Sequence, residues 1–238
     1  MEKLIYLIGH EGDPVGLRET LIGETGKALL SKGVYELEIY VRDQTDPIVE
    51  SLENNMDPEG WMSACVSLWI SSSDDRQPIE GILREITPRL AGYLVTESVP
   101  REYDRRCWPD GTTSPGVTIG TAFVEKQGLA LADFYRRWHE SHTPLSLRIH
   151  PLTRYIRNAV ARVLTPSAPA YRALVFESVD SLSTLADLDL WYGSPAGRVE
   201  AVRDLLGFAD YASMASVTMS ETILKAAPWR QAEGGNQK

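Results

Sequence analysis

Apolar and polar positions along this chain follow two periods, and the periods alternate in a regular order. Residues 2–10 read as a strand through Leu4-Ile5-Tyr6-Leu7-Ile8. Asp13-Pro14 then opens a helix, with Asp as the cap and Pro at the first helical position. Leu17, Leu21, Ala28 and Leu29 recur at helical spacing, and Gly33 is a natural stop. Gly16, Gly23 and Gly26 each weaken this helix by about 1 kcal/mol relative to alanine, so a close neighbour or tertiary packing must hold it. Residues 34–41 alternate at period two in part. Residues 43–60 are polar and read as a loop with room for one helical turn, and residues 61–70 form the next strand. Pro78 opens a second helix with Ile79, Ile82, Leu83 and Ile86 on one face. Pro88 interrupts it near its end, and residues 94–99 form a short strand.

The same order then recurs. Residues 101–116 hold Arg101, Arg105 and Arg106 among acids and the turn signals Pro109-Asp110-Gly111 and Ser114-Pro115-Gly116. They read as a linker, partly packed down by Trp108. Strands are expected at residues 117–126, 153–164, 171–178 and 213–224. One helix starts near Ala130, and another runs from Leu182 to about Leu206, broken in two around Trp191-Tyr192-Gly193-Ser194-Pro195. Laying the halves so that Thr25 falls under His142 puts Leu17 under Phe134 and Leu21 under Trp138. The expected organisation is a degenerate first repeat over 1–100, a linker over 101–116, a second repeat over 117–228, and a polar, Gly-rich disordered tail over 229–238.

The helix of the second half carries the best candidate chemistry. Phe134, Trp138, Ser141, Leu145 and Ile149 share one face, and His142 follows Trp138 by one turn on that side. Pro144 is expected to break the ladder and to push Thr143 away from helical angles. An imidazole beside an indole and a kink suits acid–base work, and a core histidine bonded to a backbone carbonyl is the plainer reading.

Composition narrows the function classes. The chain has 238 residues, 43% of them hydrophobic, with a net charge of -9, which argues against non-specific nucleic-acid binding. No apolar run is long enough to span a membrane, and the N-terminus lacks a signal-peptide layout, so a cytoplasmic protein is expected. Cys65 and Cys107 form no disulfide framework. His139 and His142 stand at i and i+3 with Glu140 between them, which is not the two-histidine i, i+4 metal pattern, so no metal is expected. No phosphate loop, dinucleotide fingerprint, haem attachment motif or Gly-x-Ser-x-Gly elbow is present, so no cofactor is expected.

Phe134-x-x-x-Trp138-x-x-x-His142-x-Pro144-Leu145 and Thr153-Arg154-Tyr155-Ile156-x-Asn158, with Asp204, Phe208 and Asp210 before the last strand, resemble the EthD domain. The resemblance covers residues 117–224, while the first half agrees only in element order. It implies the dimeric α+β barrel, or ferredoxin-like, superfamily. The expected fold is therefore α+β, two tandem βαββαβ repeats forming an intramolecular α+β barrel. Sheet edges would remain for a homodimer of the pseudo-dimeric chain. The superfamily's roles include dehydration, isomerisation and cofactor-free oxygenation of small cyclic or aromatic molecules.

The expected function is thus a cofactor-independent lyase or isomerase acting on a small, largely apolar cyclic or aromatic metabolite. His142 and Tyr155 are its candidate catalytic residues. Phe134, Trp138, His139, Arg157, Asn158, Trp191 and Tyr192 are the candidate substrate contacts. Tyr155 and Arg157 share a strand face and would line a pocket floor. The rival readings are a non-catalytic binding or accessory protein and a cofactor-free monooxygenase. A binding protein would seal His142 in the core, away from any pocket. The pocket is expected in the second half alone, with a filled counterpart at Thr25.

Overall fold

Strand-forming segments rich in Val, Ile, Leu and Tyr make eight antiparallel strands that close on themselves. The computed structural model describes residues 1–52 and 56–231. The strands are β1 (Glu2–Gly9), β2 (Glu36–Val41), β3 (Ala64–Ile70), β4 (Arg89–Arg101), β5 (Val117–Phe123), β6 (Arg154–Val163), β7 (Ala173–Val179) and β8 (Ala215–Lys225). Around the barrel they run β1-β3-β2-β8-β5-β7-β6-β4, with β4 returning to β1. The first four lie side by side as β4-β1-β3-β2 and the last four as β8-β5-β7-β6. The two sets meet at the β2–β8 and β4–β6 seams. Closure pairs the sheet edges that the sequence reading left open for a homodimer. β4 is also longer than expected, because Pro88 precedes the strand instead of breaking a helix, and the helix before it has already ended at Arg84.

The helices cover the outside of the barrel. In the first half these are α1 (Pro14–Thr20), a π turn at Leu21–Thr25, α2 (Gly26–Leu30) and α3 (Gln77–Arg84). The second half has α4 (Leu131–Arg136), a π turn at Arg137–His142, α5 (Thr143–Ile149), α6 (Leu182–Ala186), α7 (Leu188–Trp191) and α8 (Pro195–Phe208). A final turn, α9, spans Pro228–Gln231. Of the expected tail, residues 232–238 lie outside the described residues, as do Asn54 and Asn55 of the 43–60 loop. Gly26 has the close neighbour that its helix required, since a Cβ there would run into Leu224 of β8.

Pro144 does not break its helix. Thr143 keeps helical angles (φ -62, ψ -49), and the chain passes through a π turn into α5. The first-half helix has a π turn at Leu21–Thr25 with no proline, so the widened turn accommodates Pro144 without needing it as a cause.

Period-two alternation sorts each strand between two environments. Ile5, Leu7, Tyr40, Tyr93, Ile156, Leu174, Phe176 and Val217 fill the lumen. The outward faces pack under the helices, with Leu4, Tyr6 and Ile8 in the first half and Val117, Phe123, Tyr155 and Val175 in the second. One end of the lumen is ionic. Arg154 reaches Glu38 and Glu221, each at 2.6 Å, and Glu102 at 2.7 Å. Arg230 of α9 reaches Glu36 at 2.6 Å and Glu97 at 2.7 Å, and Lys3 also contacts Glu97. The 101–116 segment is anchored beside β8, where Gly111 N–H donates to Ile223 O and Ser114 N–H to Glu221 O. Trp108 packs edge-on against Tyr103.

Candidate active site

The cavity of interest lies between the outward face of the second-half sheet and its helices. It measures about 420 Å³. Ile119, Phe123, Tyr155, Val175 and Glu177 come from the sheet, and Trp138, His142, Ser146 and His150 from the helix above. Trp191, Tyr192, Arg198, Ala201 and Leu205 close the side, and Tyr211, Met214 and Ser216 also line it. Beyond Arg198, Val202 and Leu206 it opens onto a shallower groove along α8, where Val199 and Val202 are exposed.

Trp138 is fully buried and meets Phe123 and Phe134 at centroid distances of 5.6 and 5.8 Å. Such aromatic pairs contribute about 0.5–1.5 kcal/mol each beyond burial, so the helix that carries His142 is firmly seated. His142 Nδ1 lies 2.8 Å from Asp204 Oδ2 on α8, and Ser141 donates to the other oxygen of that carboxylate at 2.9 Å. Burial opposes ionisation of Asp204, but the hydrogen bonds from His142 and Ser141 hold its carboxyl below the ordinary range. A carboxylate at Nδ1 fixes the tautomer with hydrogen on Nδ1 and the lone pair on Nε2. Nε2 is 3.4 Å from Ser146 Oγ, a loose contact, and both residues line the cavity. His142 is therefore not sealed in the core. Phe208 packs against its ring at 5.0 Å.

Other groups are held differently. His150 stacks on Trp191 at 3.9 Å and its Nδ1–H donates to the Trp191 carbonyl. Burial pushes its pKa down to about 4, so it is neutral at pH 7. Tyr155 lines the cavity, and burial keeps its phenol protonated. Glu177 stands opposite Tyr155 on β6 and Ile119 on β5. Burial raises its pKa to about 7, against a smaller downward pull from His142.

Among the residues singled out in the sequence, Trp138, His142, Tyr155, Trp191 and Tyr192 meet at one cavity. Phe134 is one layer further back, among Phe123, Trp138 and Phe208. His139 and Arg157 lie behind the indole, with the His139 ring 4.8 Å and the Arg157 guanidinium 5.8 Å from it. Arg157 is further tied down by donating to Thr143 Oγ1 at 2.7 Å. The expectation that Arg157 lines the floor with Tyr155 is thereby corrected: they share a strand face, but Arg157 packs against Trp138, bonds Thr143 and is not among the residues that line the cavity. Asn158 is corrected too, because alternation along β6 turns it into the lumen, where it donates to Leu174 O at 3.0 Å. In the first half Leu21 and Thr25 are buried in the core, and His10 and Arg42 line a separate cavity of about 570 Å³. Among the described residues no group of three or more His, Cys, Asp or Glu is arranged to hold a metal ion. Among the described residues no helix is long and apolar enough to cross a membrane.

Asp204, Glu177, Ser146 and His150 were not among the candidates. Asp204 was visible only as part of the family resemblance, with no role attached. Glu177 had a usable signal, since it is a carboxylate between Val175 and Val179 on a strand face that helices must cover. Its ionisation can be tested by stability. The raised folded pKa means that the native state holds its proton above pH 4.5, where the unfolded chain releases it. Stability is then lost as pH rises from about 4.5 through about 7. Glu177→Gln should remove this loss, leaving the variant more stable than the parent by about 3 kcal/mol at pH 8 and near-equal at pH 4. Urea titrations at both pH values would measure it, and a difference independent of pH would refute it.

Compared with known protein families and with curated proteins, the chain matches none. Solved structures do match. A monooxygenase-like protein from Lactobacillus acidophilus NCFM aligns at TM-score 0.50 and 11% identity, covering 94% of this chain and 97% of its own. An anthrone oxidase-like protein aligns at TM-score 0.52 and 9% identity, covering 95% and 94%. At such identities the likeness shows the fold alone, a closed antiparallel barrel with helices packed outside it.

Proposed function

We propose that this chain, an α+β barrel built like those structures, is a cofactor-independent enzyme. It would move protons at carbon on a small, largely apolar cyclic or aromatic molecule, as a dehydratase, lyase or isomerase. One observation carries the reading. His142 has Nδ1 held by Asp204 and lies on the wall of a mostly apolar cavity, so its Nε2 is available as a base. Trp138, Tyr155, Trp191 and Tyr192 would supply the flat walls that hold a ring. The same reading takes the two halves as tandem βαββαβ repeats, the second EthD-like. Equivalent strand orders and a π turn at the same place in the first helix of each half support it.

A bicyclic ketone with activated C–H bonds, 2-tetralone, serves as a probe. In D₂O the protein should speed exchange of its α-protons about 10²-fold or more over buffer, followed by proton NMR. Exchange at the buffer rate would sink the proposal. The monooxygenase-like and anthrone oxidase-like structures that share the fold favour an oxygen-dependent step as the second reading, in which the carbanion made by the same base reacts with O₂. Oxygen uptake with an anthrone and no added metal would distinguish it.

A further inference from the structure

The proposed base leaves the carboxyl group on the cavity wall, Glu177, without a task. We propose that Glu177 is a second catalytic residue, a carboxylic acid that gives its proton to an oxygen of the substrate while His142 removes a proton from carbon. This rests on the function proposed above and narrows the substrate to a cyclic ketone or β-hydroxy ketone whose oxygen faces the sheet.

Position is the first argument. Glu177 belongs to β7, between Ile119 of β5 and Tyr155 of β6, and so lies on the sheet floor of the cavity. His142 comes from the helix that covers that sheet. A ring lying between floor and roof meets the base on one side and the acid on the other. Isolation is the second argument. The half-buried carboxyl of Glu177 makes no hydrogen bond or ion pair with any described residue, whereas carboxyl groups that hold a fold together are bonded within it. Its outward-facing neighbours on β7 are Val175 and Val179, so packing alone would favour an apolar side chain here. The ionisable groups that share the cavity are His142 and His150 from the helix, Tyr155 from β6, Tyr192 and Arg198 from the side, and Tyr211. Burial keeps the carboxyl protonated up to about pH 7, as a donor must be.

The step balances. With a ketone, the C–H electron pair becomes the C=C bond of an enol. The carbon proton goes to His142 Nε2 and the Glu177 proton goes to the carbonyl oxygen. With a β-hydroxy ketone the C–O bond breaks instead, and the hydroxyl leaves as water with the Glu177 proton. Either course leaves an imidazolium and a carboxylate. Return of the proton from Nε2 to Glu177 through water resets both.

The probe is again 2-tetralone in D₂O, with its dissociation constant measured in parallel by thermal shift. Glu177→Gln should lower exchange about 10²-fold while leaving probe binding within about two-fold, a margin well under 1 kcal/mol. The parent's exchange should fall as pH rises through about 7, a limb that Glu177→Gln lacks. Glu177→Asp, still an acid, should retain part of the rate. If His142→Gln abolishes exchange and Glu177→Gln keeps it, the assignment of Glu177 falls and the proposed function stands. If both variants exchange at the parent rate, both fall. If Glu177→Gln loses binding and exchange together, Glu177 shapes the cavity and is not an acid.

Discussion

Replacing Arg154 by alanine should destabilise the barrel by about 3–5 kcal/mol, the range for removing one partner of a buried ion pair. The side chain is 2% exposed and meets three carboxylates, and two of its partners, Glu38 and Glu221, are as deeply buried. Burial opposes ionisation of Glu38, but Arg154, Lys3 and Arg230 together hold its carboxyl well below the usual range. Glu38 therefore contributes stability that is present above pH 4.5 and is lost as pH falls through its lowered pKa. Without the guanidinium, Glu38 and Glu221 must be buried as charges or take up protons. The cost of the substitution should then be greatest at neutral pH and shrink on acidification. Urea unfolding followed by tryptophan fluorescence at pH 7 and pH 4 would measure it. A loss under about 1 kcal/mol at pH 7 would mean that solvent reaches these carboxylates.

His142→Gln should lower the rate of proton transfer by about 10²- to 10⁴-fold, the contribution of a positioned general base. Glutamine fills similar space and can still bond Asp204, but it has no basic nitrogen. Binding of the ring should change little, because Trp138, Tyr155 and Trp191 supply the walls. Asp204→Asn should fall between the parent and His142→Gln. It keeps the imidazole and loses the carboxylate that fixes hydrogen on Nδ1. Exchange rates of the three proteins with the same ketone probe give the ranking. If His142→Gln exchanged as fast as the parent, the base would have to be sought elsewhere in the cavity.

Much of this architecture was legible because each local signal agreed with the next. Alternation in residues 34–41 and 153–164 marked β2 and β6, and Asp13-Pro14 marked the start of α1. Trp138 and His142, one turn apart, identified a buried helix face and so the helix over the cavity. Other features are properties of closure. Asp204 meets His142 across 62 positions, and no local pattern encodes that contact. Asn158 was misplaced because its neighbours in the motif drew attention away from its strand parity. Pro144 was read by its usual effect on an α-helix, whereas a π turn shifts the hydrogen-bond ladder and lets it pass. Glu177 drew no reading from the sequence, because its place on a cavity wall is set by the helices that cross β7.

The seam between β2 and β8 has a consequence for the nascent chain. β2 ends at Val41, and its partner β8 begins at Ala215, so β2 leaves the ribosome long before the strand that will cover it. During that interval its backbone groups form an unpaired edge, open to a second unfinished copy. The lumen-facing side of β2 carries Glu36 and Glu38, whose guanidinium partners Arg154 and Arg230 are synthesised much later. Two waiting edges would therefore bring like charges together and repel one another. The acids that the finished barrel encloses in ion pairs would, before closure, set like charges against each other wherever two such edges met.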